Sequence, residues 1–142
     1  SPFDLSGGQK RRVAIAGIMA MRPDILVLDE PAAGLDPRGK NLILSGIREY
    51  QKKSGAAVVL VSHSMEDMAK YCDEIIVMAR SGVVMQGTCN EVFSNAANLT
   101  DIGLDIPQIT KIVADIRKAG IDINGSIYTV EDAYSALVDL LR

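Results

Sequence analysis

Asp29 and Glu30 close the apolar run Ile25 to Leu28 and stand directly before Pro31. A carboxylate at the end of a buried strand can hold Mg²⁺, usually through the ion's waters, and the ion then neutralises phosphate charge. Side chains alternate along a strand, so the neighbouring acid points elsewhere and can polarise an attacking water. Two such acids often do no more than cap a strand in solvent. The apolar run before them and the proline after them favour the chemical reading. Upstream, Leu5-Ser6-Gly7-Gly8-Gln9 stands at the mouth of a helical pattern, where the Ser6, Gly7, Gly8 and Gln9 segment can present backbone N–H groups to an anion. His63, the only histidine, follows a second apolar run, Ala56 to Val61. Ligands of open α/β sheets collect at the carboxyl ends of strands, where a histidine can bond a γ-phosphate or the attacking water. A lone histidine is more often structural, but its place after a buried strand reverses that preference. These residues read as half of a nucleotide-hydrolysing site, with a phosphate-cradling P-loop expected upstream of Ser1.

Lys10, Arg11 and Arg12 fall in the first turn of the helix that follows Gly8. Exposed cations at a helix N-terminus are unfavourable by about 0.3–1 kcal/mol each, so either an anion shares the site or the cluster is a solvated basic face. Gly34-Leu35-Asp36-Pro37-Arg38-Gly39-Lys40 fits the P-loop pattern G-x-x-x-x-G-K, yet Asn41 occupies the position of the Mg²⁺-binding Ser or Thr. Asp36 would put negative charge into the phosphate nest, and Pro37 removes a donor. The segment is a turn, and Asp36 has other work.

The elements that must position these groups alternate. Periodicity and caps predict a helix from Gln9 to about Met21, a strand over Ile25–Leu28 buried on both faces, and a helix from about Arg38 to Lys53 closed by Ser54-Gly55. A strand over Ala56–Val61 follows, then a helix opened by the capping-box pair Ser64 and Asp67. Glu74–Ala79 and Val83–Gln86 read as a hairpin around Arg80-Ser81-Gly82, before a short helix at Asn90–Phe93. Periodicity fades across Ser94–Thr100, which places a domain boundary there, with residues 1–93 on one side and 94–142 on the other. Ile109, Ile112, Val113 and Ile116 then mark a helix stopped at Gly120, and Thr129 with Asp132 caps a last one.

Composition bounds the rest. The 142 residues are 48% hydrophobic but only 4% aromatic, enough for a core of aliphatic side chains. A net charge of −3 and a pI near 5.1 argue against a nucleic-acid-coating surface. Cys72 and Cys89 lack metal-ligand spacing and read as two reduced thiols. No apolar run reaches membrane-spanning length.

With these residues in hand, the chain resembles the C-terminal half of an ATP-binding-cassette (ABC) ATPase. Leu5–Gln9 match the family's signature motif, Ile25–Glu30 its Walker B motif, Ala33-Gly34-Leu35-Asp36 its D-loop and His63 its switch histidine. Ser1-Pro2-Phe3, Lys10–Gly17, Pro37-Arg38-Gly39, Ser64–Asp67 and the tail segments Gly103–Gln108 and Thr129–Ala133 further resemble the energy-coupling-factor importers, which take up vitamins or transition-metal ions such as cobalt or nickel. Ala32 departs from the Thr or Ser common before the D-loop.

The resemblance implies an α/β fold, the P-loop NTPase core of an ABC ATPase. The core would be partial, lacking its P-loop strand, and would carry a small C-terminal helical domain that can serve as a dimerisation unit. It implies ATP and Mg²⁺ as cofactors, with Glu30 the general base, Asp29 the Mg²⁺ partner, His63 the γ-phosphate sensor and Asp36 a communicator across a dimer. Ser6, Gly7, Gly8 and Gln9 would close on ATP held by a second ATPase subunit. The other partners would be a transmembrane coupling subunit and a membrane subunit that binds substrate, with the ATPase peripheral on the cytoplasmic face. In the family's sheet the P-loop strand lies between the Ala56–Val61 and Glu74–Ala79 strands. A gap is therefore expected here, without tight ATP binding by this chain alone. Two other readings are an ABC ATPase acting on nucleic acid and a non-catalytic dimerisation module. A coiled coil beside the motifs would mark the first, and none is present.

Overall fold

The computed structural model describes residues 1–123 and 125–141, with positions 2, 96 and 97 described by their backbone alone. Residues 124 and 142, which the expected tail domain includes, lie outside it. The chain divides into two compact units, Ser1–His63 and Ser64–Arg142.

In the first unit, helix α1 (Gly7–Ala20) starts where the side chains of Ser6 and Gln9 cap each other's backbone N–H. It ends before Arg22, whose φ of 52° cannot continue a helix, and Pro23. No α1 residue is fully buried. Gly8, Arg11, Ile15 and Met19 are its half-buried positions, spaced so that they share one face. Strand β1 (Ile25–Asp29) pairs in parallel with β2 (Ala57–Val61), Asp29 standing opposite Val61. Between them, α2 (Pro37–Ser54) begins at the Asp36 cap, with proline at a position whose N–H needs no partner, and stops at Gly55 in left-handed backbone, φ 72°. Leu26 and Leu28 are buried, as are Ile43, Leu44 and Ile47 of α2.

The expectation that β1 is buried on both faces fails. Ile25 and Val27 are exposed, as are Val59 and Val61 of β2, so this two-stranded sheet is covered on one side. A continuous apolar run marks a strand suited to burial on both faces, while the covering layers must come from other segments.

The second unit starts with α3 (Met65–Tyr71), whose first turn is capped by the Ser64 hydroxyl. Strands β3 (Glu74–Ala79) and β4 (Gly82–Thr88) form the expected antiparallel hairpin. Its turn holds Arg80 and Ser81 at φ 50° and 62°, the twist that a tight hairpin needs. The strands thus form two separate two-stranded sheets, one in each unit, and not one continuous sheet.

Short helix α4 (Cys89–Phe93) is followed by α5 (Ala96–Asp101), which periodicity did not foretell: it has no side-chain cap, and its Leu99 is buried at 0% exposure. Helices α6 (Gln108–Lys118) and α7 (Val130–Leu140) enclose a small core of Val113, Ile123, Ile127 and Ala133. The compact unit boundary, at His63–Ser64, thus precedes the compositional shift near residue 94. Side chains of α4 and of the tail interlock within the second unit. Asn90 Oδ1 accepts from the hydroxyls of Ser126 (2.8 Å) and Tyr128 (2.7 Å), and the Phe93 and Tyr128 rings lie 5.5 Å apart.

Candidate functional site

At the carboxyl end of β1 the chain turns sharply. Glu30 donates its N–H to the Val61 carbonyl (2.9 Å), which prolongs the β1–β2 ladder by one bond. Its φ is 45°, a left-handed conformation that costs a non-glycine residue about 1 kcal/mol or more. That conformation accompanies a specific contact. Glu30 Oε1 accepts the backbone N–H of His63 (3.0 Å) and lies 2.6 Å from His63 Nδ1. The parallel register explains how residues far apart in sequence meet, since Asp29 and Val61 are paired and Glu30 and His63 follow at the same end. Glu30 is half-buried and the imidazole is exposed. With the carboxylate ionised, Nδ1 carries the hydrogen and donates, leaving Nε2 as the ring's outward-acting nitrogen.

Asp29 is exposed, and no described residue bonds its carboxylate. Among the described residues no group of three or more His, Cys, Asp or Glu side chains could enclose a metal ion. One free carboxylate oxygen donor fits a Mg²⁺ ion held through its waters and a phosphate, and does not fit an all-protein metal cage.

The N-terminus of α1 forms a second cluster. Ser6 Oγ accepts from Gln9 N (3.3 Å) and Gln9 Oε1 accepts from Ser6 N (2.8 Å), so those groups satisfy each other. The amides of Gly7 and Gly8 have no partner among the described residues and remain first-turn donors, suited to an anion. Ser6, Gly8, Arg12, Leu35, Asp36 and Arg38 border an open cavity of about 310 Å³. Asp36 Oδ1 accepts from Gly39 N (3.2 Å), so this carboxylate caps α2.

The structure therefore brings Glu30 to His63, and Ser6 and Gly8 to Asp36, while Asp29 stands at the strand end without a described partner. The sequence did not single out Arg11 from its basic neighbours. Its guanidinium Nη1 donates to the Ala33 carbonyl, which neither an anion site nor a solvated face describes. The available signal was spacing: Arg11 follows Gly8 by three residues and so shares its helix face.

The family described as ABC transporter matches residues 1–33. Over all 142 residues the chain is 50% identical to the energy-coupling factor transporter ATP-binding protein EcfA2 of Clostridium perfringens, covering 50% of that protein. It is 54% identical to the protein of the same name from Caldanaerobacter subterraneus subsp. tengcongensis, again across 50% of it. The chain thus spans about half the length of these curated relatives. Among solved structures, cbiO1 from Clostridium perfringens, described as part of the ABC transporter complex cbiONQ, matches with a TM-score of 0.62 at 39% identity. That match covers 80% of this chain and 45% of the other.

Proposed function

We propose that this chain, which is similar to ABC transporter ATPases, supplies the signature, base and sensor portion of the ATP-hydrolysing subunit of an energy-coupling-factor importer for vitamins or transition-metal ions. The observation that carries this reading is the double contact between Glu30 and His63 at the carboxyl end of paired parallel strands. When bound, Mg-ATP supplies the scissile phosphoryl group and the charge-neutralising ion. Glu30 is the general base, whose second carboxylate oxygen, Oε2, takes the proton of the attacking water while Oε1 stays bonded to His63. His63 holds that carboxylate in place through its own N–H and Nδ1, and its other ring nitrogen senses the γ-phosphate. Asp29 anchors the ion's water shell. Ser6, Gly7, Gly8 and Gln9 close on ATP cradled by a second ATPase subunit, the free Gly7 and Gly8 amides donating to phosphate oxygens. Asp36 carries the state of one site to the other.

The partners proposed are that second ATPase, homologous or identical, a transmembrane coupling subunit and a substrate-binding membrane subunit. The complex would keep this chain peripheral on the cytoplasmic face; no described helix is long and apolar enough to cross a membrane. Residues 94–142 are proposed as a helical domain that contributes to dimerisation. In the test, ATP hydrolysis by the full-length subunit is compared with Mg-ATP titration calorimetry of this 142-residue chain alone. Hydrolysis by the subunit and no tight stoichiometric binding by the chain are expected. An inactive subunit, or tight binding by the chain alone, would sink the proposal.

A further inference from the structure

Arg11 behaves unlike its neighbours. Lys10 and Arg12 are exposed, whereas Arg11 is half-buried and donates to the Ala33 carbonyl, 22 residues away. On the same helix face, one turn earlier, a Cβ added to Gly8 would lie 2.9 Å from Leu35 Cδ2, so the absent side chain there is what lets Leu35 sit against α1. Ala33 and Leu35 therefore touch α1 at two adjacent points. The turn that carries them has its own bonds, Ala33 N to Glu30 O (3.1 Å) and Leu35 N to Ala32 O (3.3 Å), and it ends at the Asp36 cap of α2. No residue of α1 is fully buried, and Gly8 and Arg11 lie on its half-buried face with Ile15 and Met19.

We infer that Arg11 is a positioning residue for the proposed hydrolysis, an inference that rests on that reading: its guanidinium clamps the Ala33–Asp36 turn to α1, so that the Ser6–Gly8 amides and Asp36 move as one body. A backbone carbonyl that accepts from a cation is held more firmly than one that accepts from a neutral donor. The turn bond from Ala33 back to Glu30 makes the route from α1 to the base contiguous in hydrogen bonds. Motifs that must meet a partner's nucleotide together gain from being fixed relative to each other beforehand, since each loose joint lowers the fraction of time both are aligned.

The test uses the full-length subunit with Arg11→Met and Arg11→Lys, reading kcat, KM for ATP and hydrogen exchange of the amides of residues 34–36. Loss of one hydrogen bond to a charged group predicts a fall in kcat of about tenfold for Arg11→Met, KM within about twofold, and about tenfold faster exchange. Arg11→Lys, which keeps one cationic donor, is expected to recover part of each loss. Unchanged kcat and exchange in a folded Arg11→Met protein would overturn the clamp, as would a rise in KM alone. Should Arg11→Met fail to melt cooperatively, Arg11→Lys decides, and wild-type values for it overturn the inference. A wild-type subunit without ATPase activity would instead defeat the proposed function, while the exchange measurement still reports on the clamp.

Discussion

Glu30 and His63 are joined twice through a single oxygen, Oε1, which lies 3.0 Å from the histidine's backbone nitrogen and 2.6 Å from its Nδ1. The backbone bond fixes where the carboxylate sits whatever the ring does. The ring bond then orients the imidazole against the acid. A carboxylate held this way is pre-aimed for the proposed role of base.

Replacing Glu30 by Gln keeps the side chain's shape and removes its basicity. In the full-length subunit the expected loss in kcat is about 10²–10⁴-fold, the usual contribution of a positioned general base, with nucleotide affinity little changed. Steady-state ATPase assays with a parallel nucleotide-binding titration measure both. Activity within tenfold of wild type (about 1.4 kcal/mol of barrier) would remove Glu30 from that role.

Leu44 is 3% exposed in the first unit's core. Leu44→Ala should lower unfolding free energy by about 2–5 kcal/mol, the combined loss of transfer energy and the cavity left behind. Urea denaturation followed by circular dichroism reads the change, and a shift below about 1 kcal/mol would mean that the core does not depend on this residue.

Thr129 opens α7 with reciprocal bonds, its hydroxyl accepting from Asp132 N (3.1 Å) and Asp132 Oδ2 accepting from Thr129 N (3.1 Å). Thr129→Ala should cost about 1 kcal/mol, and Thr129→Ser far less, because serine keeps the acceptor. Paired thermal melts of the two variants separate the cap from any effect of the lost methyl group.

Acid should loosen the second unit. The Thr88 backbone N–H, and then its hydroxyl, hold Glu91 below its ordinary 4.5; Lys111 holds Asp105 below 3.8, and Lys70 holds Glu131 below 4.5. Each folded value is lower than the unfolded one, so this stabilisation is present above the ordinary carboxylate range and disappears as pH falls through the folded values. The same Glu131 bond raises Lys70 above 10.5, a contribution present below that value and lost as pH rises through the folded one. Melting temperature should therefore drop below about pH 4.5, less steeply in Glu91→Gln and Glu131→Gln. An acid limb identical in all three proteins would refute the assignment.

Sequence carried the order of elements well because each has a local signature. Ser6 with Gln9, Asp36 with Pro37, Gly55, and Thr129 with Asp132 mark helix ends wherever the chain goes next. The positions of Asp29, Glu30 and His63 at strand ends were legible too, since the two acids close one apolar run and His63 follows a second. What was illegible depends on distant partners. No local pattern says that Oε1 of Glu30 reaches His63, that Arg11 turns from solvent to the Ala33 carbonyl, or that Leu99 is buried in an uncapped helix. The one-sided burial of β1 escaped for the same reason, because an apolar run records what a strand can tolerate and its covering comes from elsewhere.

That bare side of β1 and β2 has a colloidal consequence. Ile25, Val27, Val59 and Val61 project from one face, and in a two-stranded sheet each strand also has an unpaired edge. Such a surface can template another extended chain. Concentrated solutions of this polypeptide alone should scatter light progressively and bind hydrophobic dyes, and a charged residue at Val27 or Val59 should restore clarity without touching Glu30 or His63.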